Sequence, residues 1–318
     1  MADDVGGGAV MQMRSQLGTA LFTRVAGPDG PKHRERIHGR PGPRWFPEAS
    51  PIQQVHADAS MFIGGLRALM LQALHPTAMT AVAEHSDFRA DMWGRLARTS
   101  RFLAVTTFGI AADAEAAVQS VRRIHDRING TMADGCPYRA SDPHLLKWVH
   151  IAELDSFLAA HQTYGQRPLD PAQRDEYVAQ TALVAEKLGV VDPPRTQADL
   201  RAALASYRPE LTGTPQARDA IHFLILHPDL PIPARPAYLM LVAAAIGLMP
   251  IWTRRPLRLP WLPVTEHTIV HALGHLATGT IRWAMPPPTQ SRPQTPPPAT
   301  GSRLCPRQGS EGRPDPRT

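Results

Sequence analysis

Two arginines and a threonine form a polar cluster in the stretch GRLARTSRF, residues 94–102. Arg95, Arg98, Thr99 and Phe102 are spaced i, i+3, i+4 and i+7, so a helix would place them on one face. A guanidinium binds carboxylates through charge-assisted hydrogen bonds, and an adjacent hydroxyl helps it to stabilise negative charge developing on an oxygen ligand. The cluster is therefore either a binding face of this kind or a solvated helix surface.

Two histidines lie within apolar helical stripes. His125 continues a stripe that contains Val118 and Val121, and His150 lies between Leu146 and Leu154. A core-facing histidine is usually hydrogen-bonded to a neighbour, but a neutral imidazole in an apolar pocket is also what an iron porphyrin needs as its axial ligand. Periodicity does not choose between His125 and His150, because both face the predicted core.

Other groups with ligand chemistry accompany them. His271 and His275 share a helix face at i, i+4, a spacing that can bind a metal, but no third ligand is evident. Glu153 and Asp155 follow His150 closely and could orient its imidazole, although a solvated helix edge is the simpler expectation.

The elements that position these groups are helical nearly throughout. The hydrophobic period predicts helices over about 52–74, 76–84, 90–108, 114–129, 143–164, 171–188, 196–206, 215–226, 235–249 and 264–284. Capping signals include Asp113, Asp142-Pro143 and Asp170-Pro171. Strand alternation with turn dipeptides is absent. We therefore predict an all-α fold with a single multi-helix globular domain over residues 46–285.

The two ends differ from this domain in composition. Residues 1–45 are rich in Gly, Pro and Arg, which predicts an N-terminal arm with at most one short helix. Residues 286–318 are rich in Pro, Ser and Arg, and this composition cannot offset the entropy of ordering, so a disordered tail is expected.

Composition excludes several functional classes. The 318 residues carry a net charge of +6, but the basic residues are dispersed and are not interleaved with aromatics, so no nucleic-acid surface is predicted. Cys136 and Cys305 do not form a disulfide framework, and the N-terminus lacks a signal-peptide pattern, which favours a cytoplasmic location.

An apolar run over residues 236–252 raises the question of a membrane span. It is shorter than the roughly 20 residues needed to cross a bilayer, and Pro250 interrupts it. A buried core helix is the expected structure, with peripheral membrane contact as the alternative.

Common helical and hydrolytic enzyme motifs are missing. The chain has no inward Glu-x-x-His pairs, no H-E-x-x-H, no G-x-S-x-G, no P-loop and no G-x-G-x-x-G after a strand. Di-iron carboxylate, zinc protease, kinase and dinucleotide-enzyme functions are therefore not supported.

Six segments in succession resemble one family. They are MFIGGLRALMLQALHP (61–76), EHSDFRADMWGRLARTSRF (84–102), VRRIHDRINGT (121–131), YRASDPHLLKWVH (138–150), EKLGVVDPPRTQADL (186–200) and LMPIWTRRPLRLP (248–260). Together, over roughly residues 50–285, they resemble the DUF2236 family, also called the MpaB/rubber-oxygenase catalytic domain.

The resemblance implies an all-helical fold that holds haem b. Latex clearing proteins of this family carry a distal Arg-x-x-Lys-Thr segment, and Arg95 to Thr99 matches it with Arg98 in place of the lysine. Arginine stays protonated and cannot coordinate iron as a neutral lysine could. His125 best matches the proximal iron ligand, with His150 in reserve. The glutamate base of those proteins has no clear counterpart here, although Glu84 is nearby.

The resulting expectation is a haem-b-dependent oxygenase that acts with O2 on an apolar, isoprenoid-like or lipid-like substrate. His125 would bind the iron, while Arg95, Arg98 and Thr99 would face the distal pocket or the propionates. The helices at 235–249 and 264–284 would wall the substrate channel.

Two alternatives stay open. One is a cofactor-free helical protein that binds a hydrophobic small molecule or a membrane surface. The other is a non-haem iron site built from His150 with His271 and His275.

Overall fold

The computed structural model describes residues 3–86 and 89–285, so the predicted disordered tail at 286–318 lies outside the described residues. The prediction of an all-α fold is confirmed. The helices are α1 (Asp3–Ala26), α2 (Gly30–Gly39), α3 (Pro51–His56), α4 (Met61–Gln72), α5 (Pro76–His85), α6 (Met92–Phe108), α7 (Ala111–His125), α8 (Pro143–Tyr164), α9 (Pro171–Leu188), α10 (Gln197–Tyr207), α11 (Pro215–Leu226), α12 (Arg235–Gly247), α13 (Ile251–Leu257), α14 (Pro263–Thr265) and α15 (His271–Ala284). Short 3₁₀ helices span Arg208–Glu210 and Ile232–Ala234, and a π-helical turn spans Glu266–Val270.

Helix α8 is the centre of the hydrophobic core. Its Trp148 and Ile151 are fully buried, and burying a large apolar side chain stabilises the fold by about 1.5–3 kcal/mol. Helix α8 packs closely against α4 at Gly64, which has no side chain. A Cβ at this position would lie only 2.9 Å from the Phe157 ring. Asp142 caps α8 by accepting from the backbone of His144 at 2.8 Å, as its sequence position predicts.

A buried ion pair ties α4 to α8. The Arg67 side chain, which is only 4% exposed, donates to Asp155 at 2.7 Å, to Ser156 at 2.7 Å and to the Leu248 carbonyl at 3.0 Å. Asp155 is therefore a structural partner of Arg67 and does not orient His150.

Three local predictions are wrong. The helix predicted over 52–74 is two helices, because Asp58 stops α3, accepts from the Ser60 backbone at 2.8 Å and pairs with Arg282 at 2.8 Å. The segment at 1–45 contains two helices, α1 and α2, and both pack on α6. Asp113 does not cap α7, which begins at Ala111; its carboxylate instead binds Arg40 at 2.6 Å.

A small hairpin was not foreseen by the sequence pattern. Strands β1 (Asn129–Thr131) and β2 (Pro137–Arg139) pair antiparallel after α7. The turn contains Gly135 at φ +88°, a conformation that glycine adopts without strain. The strands have three residues each, too few for an alternating pattern to be recognised.

Within the described ranges, no single helix is long and apolar enough to cross a membrane. The segments Ile232–Gly247 and Ile251–Leu257 reach the required length and composition only together, and they are bent by 118°.

Candidate functional site

An apolar cleft opens between α3, α6, α7, α8 and α9, and it contains both candidate histidines, His125 and His150. Its cavity volume is about 110 Å³, below the roughly 300–1,000 Å³ usual for ligand pockets, and one side is open to solvent. Most of the lining is aliphatic or aromatic: Ile52, Phe102, Leu103, Leu146, Val149, Leu154, Phe157, Val184, Ala185, Leu188 and Val190. Such a lining suits a flat apolar ligand.

The two histidines present unpartnered ring nitrogens in this cleft. His125 Nδ1 and His150 Nε2 are buried and have no hydrogen-bond partner. Burial lowers the pKa of His125, and burial with the nearby Lys147 lowers the pKa of His150 to about 4. Both imidazoles are therefore neutral at pH 7, and an unsatisfied buried nitrogen costs about 1–3 kcal/mol until a ligand satisfies it.

A third histidine in the cleft is hydrogen-bonded. His56 Nδ1 lies 2.8 Å from Thr107 Oγ1, and His56 Nε2 lies 3.3 Å from the Tyr177 hydroxyl. Burial lowers the pKa of His56 to about 3 and raises that of Tyr177 well above its usual range. This trio of neutral groups gives one wall of the cleft fixed polar atoms.

Glu153 is the one carboxylate among the residues that line the cleft. It follows His150 by three residues on α8, so the two side chains share a face. Burial raises the pKa of Glu153 to about 7. The expectation of a solvated helix edge is therefore wrong for Glu153, which can hold a proton near neutral pH.

Two basic residues, Lys187 on α9 and Arg122 on α7, are close in sequence to residues that line the cleft. Lys187 precedes the lining residue Leu188; it pairs with Glu115 at 2.8 Å and lies over the Trp45 ring at 5.0 Å. Arg122 donates to the Lys187 carbonyl at 3.1 Å. Lys187 is thus paired with a carboxylate, whereas Arg122 is held by a backbone carbonyl.

The arginine cluster of α6 lies outside the lining of this cleft. Arg95 donates to Ser86 at 3.0 Å, and Arg98, with its side chain 70% exposed, pairs with Asp91 at 3.0 Å. Helix α6 contributes Phe102, seven residues after Arg95 and about 10 Å further along the axis. Arg95, Arg98 and Thr99 thus lie one to two turns along α6 from Phe102, the first residue of this helix in the cleft lining.

His271 and His275 lie far from His150. Their rings are 4.6 Å apart, and both contact Tyr164 near the end of α8, at 5.6 and 5.2 Å between centroids. Tyr164 follows His150 by 14 residues, which is about 21 Å along a helix. The structure does not bring together the three histidines of the non-haem iron alternative.

Two further groups considered from the sequence lie outside this cleft. Helices α12 and α15 contribute no residue to the cleft lining, so they do not form its walls. Glu84 also lies outside the lining and accepts a hydrogen bond from the Tyr138 hydroxyl at 2.5 Å.

Sequence analysis missed the partners of His56. His56 follows Ile52 by four residues, so the apolar period already placed it on the core face. Its contacts with Thr107 and Tyr177 depend on α3, α6 and α9 meeting, which no local signal reports.

The fold and the site together define an all-α protein with a histidine-lined apolar cleft. The chain belongs to the family described as ER-bound oxygenase mpaB/B'/rubber oxygenase, catalytic domain, which matches residues 53–283. The suspected family is thereby confirmed, and the chain carries an oxygenase catalytic domain. No curated protein and no solved structure gives a significant match.

Proposed function

We propose that this oxygenase depends on haem b and acts with O2 on an apolar, isoprenoid-like or lipid-like substrate. The observation that carries the proposal is the pair of neutral imidazoles with unpartnered nitrogens in one apolar cleft. A porphyrin needs a neutral imidazole for its iron and apolar walls for its faces, and the residues present fit both needs.

In this proposal His125 would hold the iron, as the family resemblance implies, and His150, which lines the same cleft, would be the alternative ligand. Arg122 lies three residues before His125 on α7, so it shares a helix face with His125 and is a proposed partner for a propionate beside Arg95 and Arg98, which the family resemblance implies. When bound, haem supplies an iron that binds and activates dioxygen.

The chain's own residues supply binding and protons. The aliphatic and aromatic lining binds the apolar substrate and excludes water. Glu153, whose pKa burial raises to about 7, holds a proton on its carboxyl oxygen and can release it near neutral pH. Tyr177 keeps its proton, so its hydroxyl remains a hydrogen-bond donor.

The test combines haem content with oxygen uptake. The full chain, purified from cells supplied with a haem precursor, is expected to contain one haem per chain and to consume O2 when a long-chain isoprenoid alkene is added. Adjacent residues provide a matched pair, because Val190 lines the cleft and is buried whereas Val191 is 64% exposed. Val190→Asn should lower haem content and oxygen uptake, and Val191→Asn should change neither.

A folded parent without haem would overturn this proposal. The cofactor-free alternative would then be tested by binding of a fluorescent fatty acid in the same cleft, again comparing Val190→Asn with Val191→Asn.

We also propose that a surface around α14 contacts membranes. Trp261, Leu262 and Val264 are 57%, 55% and 78% exposed, and the exposed Arg255 and Arg258 precede them. Exposed aromatic and aliphatic side chains beside cations suit the interface of a membrane with anionic headgroups.

Vesicle sedimentation tests this contact. The parent should bind vesicles of phosphatidylcholine with phosphatidylserine more strongly than vesicles of phosphatidylcholine alone. Trp261→Ser combined with Val264→Ser should abolish binding, whereas Val191→Ser, at an equally exposed valine elsewhere, should not. Equal binding by the two variants would contradict the contact.

A further inference from the structure

A second group of potential ligands lies outside the cleft. His75 precedes α5, His144 is in the first turn of α8, and Glu210 is in the 3₁₀ turn after α10. One ligand atom from each lies within 4.8 Å of the others. Glu210 Oε2 is 2.8 Å from His144 Nε2 and 3.6 Å from His75 Nε2.

His75 is the buried member of this group. Its side chain is 8% exposed, and neither ring nitrogen has a hydrogen-bond partner. An imidazole with two unsatisfied buried nitrogens is costly in free energy. Because Nε2 points to within 3.6 Å of a carboxylate oxygen, a bound cation would satisfy it and balance the negative charge.

The contacts of His144 also suit a bound cation. The Tyr207 hydroxyl donates to the His144 carbonyl at 2.8 Å, so it accepts from His144 Nδ1 at 3.2 Å. A neutral His144 then has its lone pair on Nε2, which faces Glu210 Oε2 at 2.8 Å. A cation held by both atoms would satisfy this pair of facing ligand atoms.

The fold holds the three ligands together without help from an ion. The Thr212 amide donates to the Leu74 carbonyl at 2.8 Å, which joins the Glu210 segment to the His75 segment. The Tyr207 ring stacks on His144 with centroids 4.5 Å apart. The site is therefore preorganised, and its backbone does not need to move to bind an ion.

We propose that His75, His144 and Glu210 bind a divalent transition-metal ion with the preferences of Zn²⁺. Two imidazoles and one carboxylate form a known zinc donor set that leaves the fourth position to water. Ligand atoms on a tetrahedral zinc lie about 3.3 Å apart, close to the two separations observed. His144 and Glu210 are 56% and 43% exposed, so the ion can enter from solvent.

The test uses the full chain with its haem, after treatment with a chelator. Zn²⁺ is titrated calorimetrically, and zinc and iron are counted by mass spectrometry. The parent should bind one Zn²⁺ per chain, and its Tm should rise on binding. His144→Ala and Glu210→Gln should lose both effects, and His75→Asn tests the buried ligand. His222→Ala is the matched control, because His222 is exposed and its ring lies 6.3 Å from that of His227.

Loss of zinc in His144→Ala and Glu210→Gln, with iron content unchanged, would support the proposal independently of the haem assignment. Equal zinc binding by the parent, both variants and the control would overturn it. A folded parent that binds no zinc would also overturn it.

Discussion

His144 and His150 lie six residues apart on α8, but their surroundings differ completely. His150 faces an apolar cleft, has an unpartnered Nε2, and has its pKa lowered to about 4 by burial. His144 is more than half exposed, stacks on Tyr207 and contacts Glu210 at 2.8 Å. One helix thus places the same side chain in two kinds of surroundings.

The two surroundings differ in polarity, charge and exposure, and these properties favour different classes of ligand. The cleft has apolar walls and neutral imidazoles, and these are the features on which the proposed haem site rests. The surface group has two imidazoles and a charged carboxylate near solvent, which favours a small hydrated cation. The Glu153 and tyrosine predictions below change one region and expect the ligand content or affinity of the other region to stay the same.

The largest effect is expected from removing the proton carrier of the cleft. Glu153→Gln should lower the rate of oxygen uptake by about 10²- to 10⁴-fold, the usual contribution of general acid–base catalysis. The pH–rate profile should also lose its inflection near 7, because Glu153 is the carboxyl group whose pKa burial raises to about 7. Haem and zinc contents should not change. An unaltered pH profile would remove Glu153 from the mechanism.

The next effect is on stability in acid. His56 is neutral in the fold because burial lowers its pKa to about 3, whereas the unfolded chain takes up a proton below pH 6.5. The unfolded state then binds more protons, so stability is lost as the pH falls from 6.5 towards 3, by up to about 1.4 kcal/mol per pH unit. Urea unfolding of His56→Gln should show a shallower loss than the parent. An equal loss of the free energy of unfolding with falling pH in the parent and in His56→Gln would contradict this role of His56.

A smaller effect, on zinc affinity, is expected when a tyrosine hydroxyl is removed from one region but not from the other. Tyr207→Phe keeps the ring on His144 but removes the hydroxyl that orients its Nδ1, so affinity for Zn²⁺ should fall about 10-fold. Tyr177→Phe removes a hydroxyl from the cleft instead and is the matched control. Calorimetry should show unchanged zinc affinity for Tyr177→Phe, and equal losses in both variants would mean that the hydroxyl contact is not specific.

The smallest effect is expected at the arginine cluster. Arg98 is exposed and pairs only with Asp91 among the partners described, so Arg98→Ala should change the free energy of unfolding by less than about 1 kcal/mol. Its effect on oxygen uptake should be smaller than that of Glu153→Gln. A larger loss of uptake would show that the distal role implied for Arg98 by the family resemblance extends the site along α6.

Local signals predicted much of the fold. Asp142-Pro143 and Asp170-Pro171 gave the starts of α8 and α9, because a capping side chain acts on the backbone of its own turn. The break between α3 and α4 was missed because Asp58 is held by Arg282, which is 224 residues away in the sequence.

Local sequence patterns also predicted the sites only in part, because they do not report contacts between residues that are distant in the sequence. The apolar period predicted that His125 and His150 face the core, and both line the cleft. It could not reveal the group formed by His75, His144 and Glu210, because three segments distant in sequence must meet before any of these side chains has a partner.

The most direct test of the central claim is the absorption spectrum of the haem-supplied protein with either cleft histidine replaced. We predict a Soret band for the parent and for His150→Ala, and its loss in folded His125→Ala. Loss only in His150→Ala would move the iron ligand to α8. A folded parent without the band, purified from cells with ample haem, would contradict the haem-dependent mechanism.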